Sequence, residues 1–364
     1  MYGRKGTDRE NVYDGGTDML KFMEQPSLNP ELVTCPHCGE ADRIGVHSHQ
    51  ERRYICHSCK KTFSETKGTP LYRLKYPAWV VVLVLTLLAH GCPVQAIVAA
   101  FFIDERTVAD WLSKAGKWGK RIQEQVVCNG RVTLGQVQAD ELYVKVQDGQ
   151  VWMATAMTVF SRLFLWGEVA QRRSRSLIRR LVDRVRAAAG DRVQPVLFAV
   201  DGFAAYPKAI LRAFYTKVYT GRPGRPRHEP WPDLHIAQVV KHRAKRRVKT
   251  VSRRVYHGCR KRVDELIALS QTALGLINTA YIERLNATFR ARMPSLVRRT
   301  RNLARTTARL EEEMFWVGVV YNFCTVHTTL MSTPAVAAGL TDHVWSVREL
   351  LSFRPSQQPL HAIL

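Results

Sequence analysis

The sequence predicts an α/β protein in which a mixed-sheet domain follows a small cysteine-rich module and an all-α domain. Three observations carry that expectation. Two Cys-x-x-Cys pairs lie close to the N-terminus, a helical stretch follows them, and from Thr133 the apolar pattern turns β-rich. At 364 residues the chain has room for two or three domains, and an apolar content of 46% suffices for real cores.

Charge narrows the class of partner. A formal net charge of +24 favours a polyanion, nucleic acid before an acidic membrane surface. From Tyr219 to Arg262, fourteen Lys and Arg face only Glu229 and Asp233. That leaves a local charge of +12, half the net charge of the chain.

Residues 1–30 are polar and aperiodic and read as an arm; Met1 to Gln25 lacks the apolar run of a secretory leader. Cys35 and Cys38, then Cys56 and Cys59, are separated by seventeen residues. Two such knuckles match a four-thiolate zinc ribbon over 31–69, since tetrahedral Zn²⁺ takes two soft ligands from each tight turn. Tyr54, Ile55 and Phe63 would back it. The scattered Cys92, Cys128, Cys259 and Cys324 fit reduced thiols in a cytoplasmic, nucleoid-associated protein.

Ala78 to Ala89 is strongly apolar but spans only twelve residues, short of the ~20 a membrane helix needs. A core helix is expected. Val94 to Phe102 and Glu105 to Gly116 read as two more helices around a tight turn, a helix-turn-helix pattern over 75–127. Its third helix would offer Arg106, Thr107 and Lys114 to DNA, with Lys117, Lys120 and Arg121 meeting phosphate; plain helix packing shows the same periodicity.

A third domain is expected over 131–300. Val137–Val146, Val151–Val159 and Leu163–Ala170 are strand-like, with Asp148-Gly149 marking a hairpin turn. Ser174 to Ala189 is an amphipathic helix closed by Gly190. Val196 to Val200 is wholly apolar, as a central strand would be, and Asp201-Gly202 ends it. Three antiparallel strands, a helix, a buried strand and a helix make the ribonuclease-H-like arrangement.

The basic insertion 219–262 follows. Arg222, Arg225 and Arg227 sit in an extended Gly-Pro-rich stretch suited to a narrow minor groove. Leu234 to Val240 reads as a fifth strand. Lys241 to Arg262, with Lys245, Arg246 and Arg247, reads as a charge-rich segment that tracks phosphates. Ile277, Tyr281, Leu285, Thr288 and Phe289 then recur at helical spacing, and residues 301–364 form a helical tail.

Three acids belong together in that arrangement. Asp140 lies on the first strand, Asp201 at the end of the buried one, and Glu283 on the late helix. Close carboxylates repel unless cations neutralise them, and hard oxygen ligands suit two Mg²⁺ or Mn²⁺ ions. Such a pair would activate water or a 3′-hydroxyl against a phosphodiester. Glu141 is a rival to Asp140, but alternate strand residues face opposite ways, so only one is expected to point into the site.

These residues resemble a known family. The ribbon and helix-turn-helix, Gln138-Ala139-Asp140-Glu141, Ala199-Val200-Asp201-Gly202 and the helix from Asn278 to Asn286 resemble bacterial insertion-sequence transposases of the DDE class, within them the insertion-sequence-one type. The resemblance covers roughly residues 31 to 340. In the helix, Arg290 follows Glu283 by seven positions, and Tyr321-Asn322-Phe323, His327 and Thr333-Pro334-Ala335 resemble the tail of these enzymes. It implies Asp140, Asp201 and Glu283 as the metal-binding catalytic triad and Arg290 as a phosphate contact. It also implies double-stranded DNA as the partner, a homodimer or higher oligomer, and one structural Zn²⁺. The interval from Asp201 to Glu283 exceeds that of the best-known members because the basic stretch lies within it. A DNA-binding regulator without turnover, or a metal-dependent nuclease without strand transfer, are the alternative readings.

Overall fold

The computed structural model describes residues 27–147, 149–219, 224–244, 247–270, 275–297 and 302–354. Arg222, Lys245 and Arg246, three of the expected DNA contacts, lie outside the described residues, as does the side chain of Arg247. The chain divides into two compact units, Met1–Lys67 with Leu71–Leu83, and Gly68–Pro70 with Val84–Leu364.

The first unit contains a three-stranded antiparallel sheet of β1 (Ile44–Ser48), β2 (Arg53–Cys56) and β3 (Thr62–Ser64). Its apolar core is small: Val33, Tyr54 and Phe63 pack with Cys35 and Cys56. Helix α1 (Ala78–Ala89) begins in this unit and ends in the second.

In the second unit, α2 (Val94–Phe101) and α3 (Glu105–Ile122) are joined by a tight turn in which Phe102 takes a left-handed conformation. The Asp104 side chain caps α3 by accepting from the Arg106 N–H at 2.8 Å. Gly116 does not end this helix as the sequence suggested. It lets α3 cross α8 (Thr307–Phe323) closely, for a Cβ there would collide with the Glu312 backbone, and one at Gly119 would lie 2.9 Å from Val319. Two expected phosphate contacts are engaged in that crossing. Lys117 pairs with Glu312 at 3.5 Å and Lys120 with Glu311 at 2.6 Å. Arg106 and Lys114 stay exposed, Lys114 paired with Asp110 on its own helix, while Thr107 is half-buried.

The core of this unit is a mixed six-stranded sheet flanked by helices. Its strands are β4 (Gly135–Val146), β5 (Gly149–Thr158), β6 (Phe164–Ala170), β7 (Val196–Asp201), β10 (Leu234–Ala244) and β11 (Arg247–His257), in the order β11-β10-β7-β4-β5-β6. The first three form an antiparallel meander, and β7 runs parallel to both neighbours. Val196 to Val200 are completely enclosed, which explains their unbroken apolar run. Helices α4 (Arg175–Ala189) and α5 (Ala205–Ala213) follow β6 and β7, and a short pair, β8 (Tyr215–Val218) and β9 (Arg227–Pro230), forms a separate hairpin.

The charge-rich stretch after Val240 is a strand pair rather than a loop. β10 and β11 stay paired from Ile236↔His257 to Ala244↔Arg247. Val248, Val251 and Val255 supply the β-branched character that an excess of Lys and Arg obscures. After α6 (Arg260–Leu269) comes α7 (Ala280–Arg292), whose Ile282, Leu285, Asn286 and Phe289 are buried. Helices α9 (Pro334–Ala337) and α10 (Val347–Ser352) complete the described chain. Among the described residues no helix is long and apolar enough to cross a membrane.

Candidate functional site

In the first unit the four cysteines converge. Cys35 and Cys59 have their sulfurs 3.7 Å apart, Cys38 and Cys56 theirs 3.6 Å apart, and all four lie within 4.8 Å of one another. A tetrahedron with 2.3 Å metal–sulfur bonds has edges of about 3.8 Å, so the spacing fits zinc. Backbone N–H groups support the thiolates. The His37 N–H donates to Cys35 Sγ at 3.4 Å, and N–H groups at Cys59 and Ser58 draw Cys56 down to about 7. No histidine joins this cluster among the described residues.

The second cluster lies at the C-terminal end of β7. Asp201 is the last residue of that strand, whereas both neighbours run on, β4 to Val146 and β10 to Ala244. The shortfall opens a notch in the sheet. Ala139 pairs with Val200, so Asp140 comes level with Asp201 at its rim. Ligand-capable oxygens of Asp140, Glu141 and Asp201 lie within 4.8 Å of one another.

Glu141 is therefore in the cluster together with its rival, contrary to the expectation that only one could enter. The two side chains do leave opposite faces of β4. No β7 backbone separates them beyond Asp201, however, and both can close on its carboxylate.

Each acid has a defined setting. The Asn286 amide on α7 donates to Asp140 Oδ2 at 3.1 Å and accepts from Thr155 at 2.8 Å. Gln138, two residues before Asp140 on the same face, accepts at 3.0 Å from the Tyr281 and Ile282 N–H groups and docks the start of α7. The carboxylate of Asp201 accepts from the Phe203 N–H at 2.9 Å. Arg173, next to the Ser174 cap of α4, donates to Asp201 Oδ2 at 2.8 Å and Glu141 Oε2 at 2.9 Å. Its guanidinium lies 4.2 Å from the centre of the Phe203 ring.

Protonation follows burial. Burial and then the Asp201 charge push Glu141 up to about 7, against the pull of Arg173. Asp140 is raised too, by burial first and by Asp201 and Glu283 among further causes. Glu141 Oε1 and the Tyr206 hydroxyl are both buried, and the phenol lies within reach of the Glu141 carboxyl. Burial and the three acids raise the Tyr206 phenol. A tight group of carboxylate oxygens is suited to a hard cation.

Glu283 lies on α7 but outside this cluster, exposed and one turn before the buried Asn286. Its Oε1 accepts from Lys241 Nζ at 2.7 Å and from Thr279 at 3.0 Å. Arg290 is half-buried on the same helix, and Arg225 and Arg227 are exposed beside the β8–β9 hairpin. Sequence reasoning passed over Arg173, Gln138 and Asn286 as site residues. Gln138 and Asn286 did carry a signal, being polar at spacings that share a face with Asp140 and Glu283.

No protein-family model matches the chain, and no curated protein matches it.

Proposed function

We propose that this chain is a metal-dependent DNA transposase whose sheet domain is ribonuclease-H-like, preceded by a zinc ribbon and a helix-turn-helix. The observation that carries the reading is the meeting of Asp140, midway along β4, with Asp201 at the C-terminal end of the adjacent parallel β7, with α7 docked over Asp140. The strand order and the mixture of parallel and antiparallel pairing are compatible with that fold.

Asp140 and Asp201 would hold Mg²⁺ or Mn²⁺, with Glu141 or Glu283 as the third carboxylate. Such ions, when bound, polarise a phosphodiester and make water or a 3′-hydroxyl nucleophilic near neutral pH. Asn286 fixes one oxygen of Asp140 and so orients the carboxylate for a ligand. Arg173 orients Asp201 and Glu141 and keeps the charges on these acids compatible with their burial. The basic β10–β11 pair, which extends past Asp201, would hold the phosphate backbone across the notch. The four-cysteine unit and the exposed face of α3 would recognise element ends. Joining two ends calls for a homodimer or higher assembly.

The deciding experiment is cleavage and joining of labelled element-end DNA with Mg²⁺ or Mn²⁺, wild type against Asp201→Ala. Joined products are expected from wild type alone, with DNA binding kept by the variant. Nicked DNA that is never joined would make the protein a nuclease, and tight binding with no cleavage by either protein would make it a regulator.

A further inference from the structure

Away from the acids, α4, α5 and the β8–β9 hairpin enclose an open cleft of about 460 Å³, lined by Arg179, Asp183, Arg186, Arg212, Tyr215 and His228 among others. Three guanidiniums thus face one carboxylate. They are held differently. Arg186 is fixed, its guanidinium 4.7 Å from the Trp231 ring centre and paired with Asp191 at 3.2 Å. Arg179 touches Asp183 only at 3.7 Å, and Arg212 is exposed with no ion pair among the described residues. Across the hairpin, the Tyr215 and His228 rings stack at 3.9 Å and form one wall.

We propose that this cleft is a second phosphodiester-binding site, which takes the backbone of duplex DNA. Planar guanidinium forks match phosphate oxygens, and the anchored Arg186 is already set for that contact. The lining is charged and polar and the cleft is open, which suits one stretch of a polymer better than an enclosed small molecule. The hairpin that forms its wall leads back to the exposed Arg225 and Arg227, so the cationic surface is continuous in the chain. Helix α4 links the cleft to the acids. Arg173 touches Asp201 just before that helix starts, and Arg186 lies thirteen residues further on. At 1.5 Å of rise per residue this is about 20 Å. At 3.4 Å per base pair, a duplex could span that distance in roughly six base pairs.

The inference rests on the nucleic-acid reading of the charge but not on cleavage, so binding can test it separately. The probe is a 30-base-pair duplex of unrelated sequence, bound to the full chain over a range of salt concentrations. Arg179→Gln with Arg212→Gln removes two exposed charges, while Arg309→Gln, an exposed arginine of α8 paired with Glu312 and outside the basic segment, is the control. The double variant should flatten the slope of log affinity against log salt by about two, and the control by none. Arg212→Lys, which keeps the charge, should keep most of the slope. A double variant that binds with the wild-type slope, or that loses no more than the control, overturns the cleft while the function proposed above stands. Wild type that fails to bind the duplex overturns both.

Discussion

The two candidate metal clusters are assembled in opposite ways. The four cysteines come from one 25-residue stretch, Cys35 to Cys59, folded as two knuckles on a three-stranded sheet. The carboxylates come from β4 and the end of β7, 60 residues apart, with support from Arg173 and from Asn286 on α7. The cysteines sit against a small apolar cluster of Val33, Tyr54 and Phe63, whereas the acids sit on a sheet whose central strand is fully enclosed. A ligand would therefore do different work in the two places. Among the cysteines it would hold the fold together, and among the acids it would relieve strain in a fold that already exists.

The largest effect should come from taking metal away from the cysteines. Structural zinc contributes an apparent ~10–16 kcal/mol in small modules. Burial of a full side chain such as Phe63 contributes only ~2–3 kcal/mol. Cys56→Ser, or treatment with a strong zinc chelator, should unfold residues 31–67 while the six-stranded sheet keeps its melting transition. Limited trypsinolysis followed by mass mapping would check this. Cuts confined to the first unit are expected, and protection equal to wild type would mean that its small core needs no ligand.

Glu141→Gln asks the opposite question of the acids. Glu141 is held at about 7, above its ordinary 4.5, so between these values the folded chain keeps a proton that the unfolded chain releases. Without metal, stability should rise as pH falls from about 7 towards 4.5 and should drop as pH rises back through that window. The neutral amide removes this cost, and the melting temperature of the metal-free variant at pH 8 should increase by about 2–4 °C for each kcal/mol relieved. Affinity for Mn²⁺, measured by calorimetry at the same pH, should fall about tenfold or more. A variant that is stabilised yet binds Mn²⁺ like wild type would remove Glu141 from the metal set.

The same contrast explains what could be read in advance. The cysteine spacing is a local signal, and all four residues it indicated converge. Asp140 and Asp201 could be matched because β-rich runs and an all-apolar strand imply neighbours in a sheet, and β4 does pair with β7. Glu141 was lost because strict alternation assumes a strand flanked along its whole length, and β7 stops one residue too soon for that to hold. Arg173 carried no signal at all, since it stands in a run with Arg172 and Arg175 and is singled out only by the fold. Leu234 to Val240 was legible as a strand, but its partner β11 was hidden by charge, because its apolar residues are spaced among four Lys and Arg.

The smallest effect addresses the acid that stayed outside. Lys241 and Glu283 form an exposed pair at 2.7 Å, with side chains 41% and 50% accessible. Such pairs contribute at most about 1 kcal/mol, so Lys241→Met should leave the melting temperature nearly unchanged. Its effect on metal should be larger than its effect on the fold. Lys241 and a divalent cation compete for the same carboxylate, and Glu283 is close enough for its charge to raise Asp140. Releasing Glu283 should strengthen Mn²⁺ binding by about 2- to 5-fold, the equivalent of ~0.4–1 kcal/mol. The gain should vanish in the Lys241→Met, Glu283→Gln double variant, because the released carboxylate is its only source. An unchanged Mn²⁺ affinity in the single variant would instead leave Glu283 as a surface partner of the basic strand pair, and the carboxylate set would be Asp140, Glu141 and Asp201.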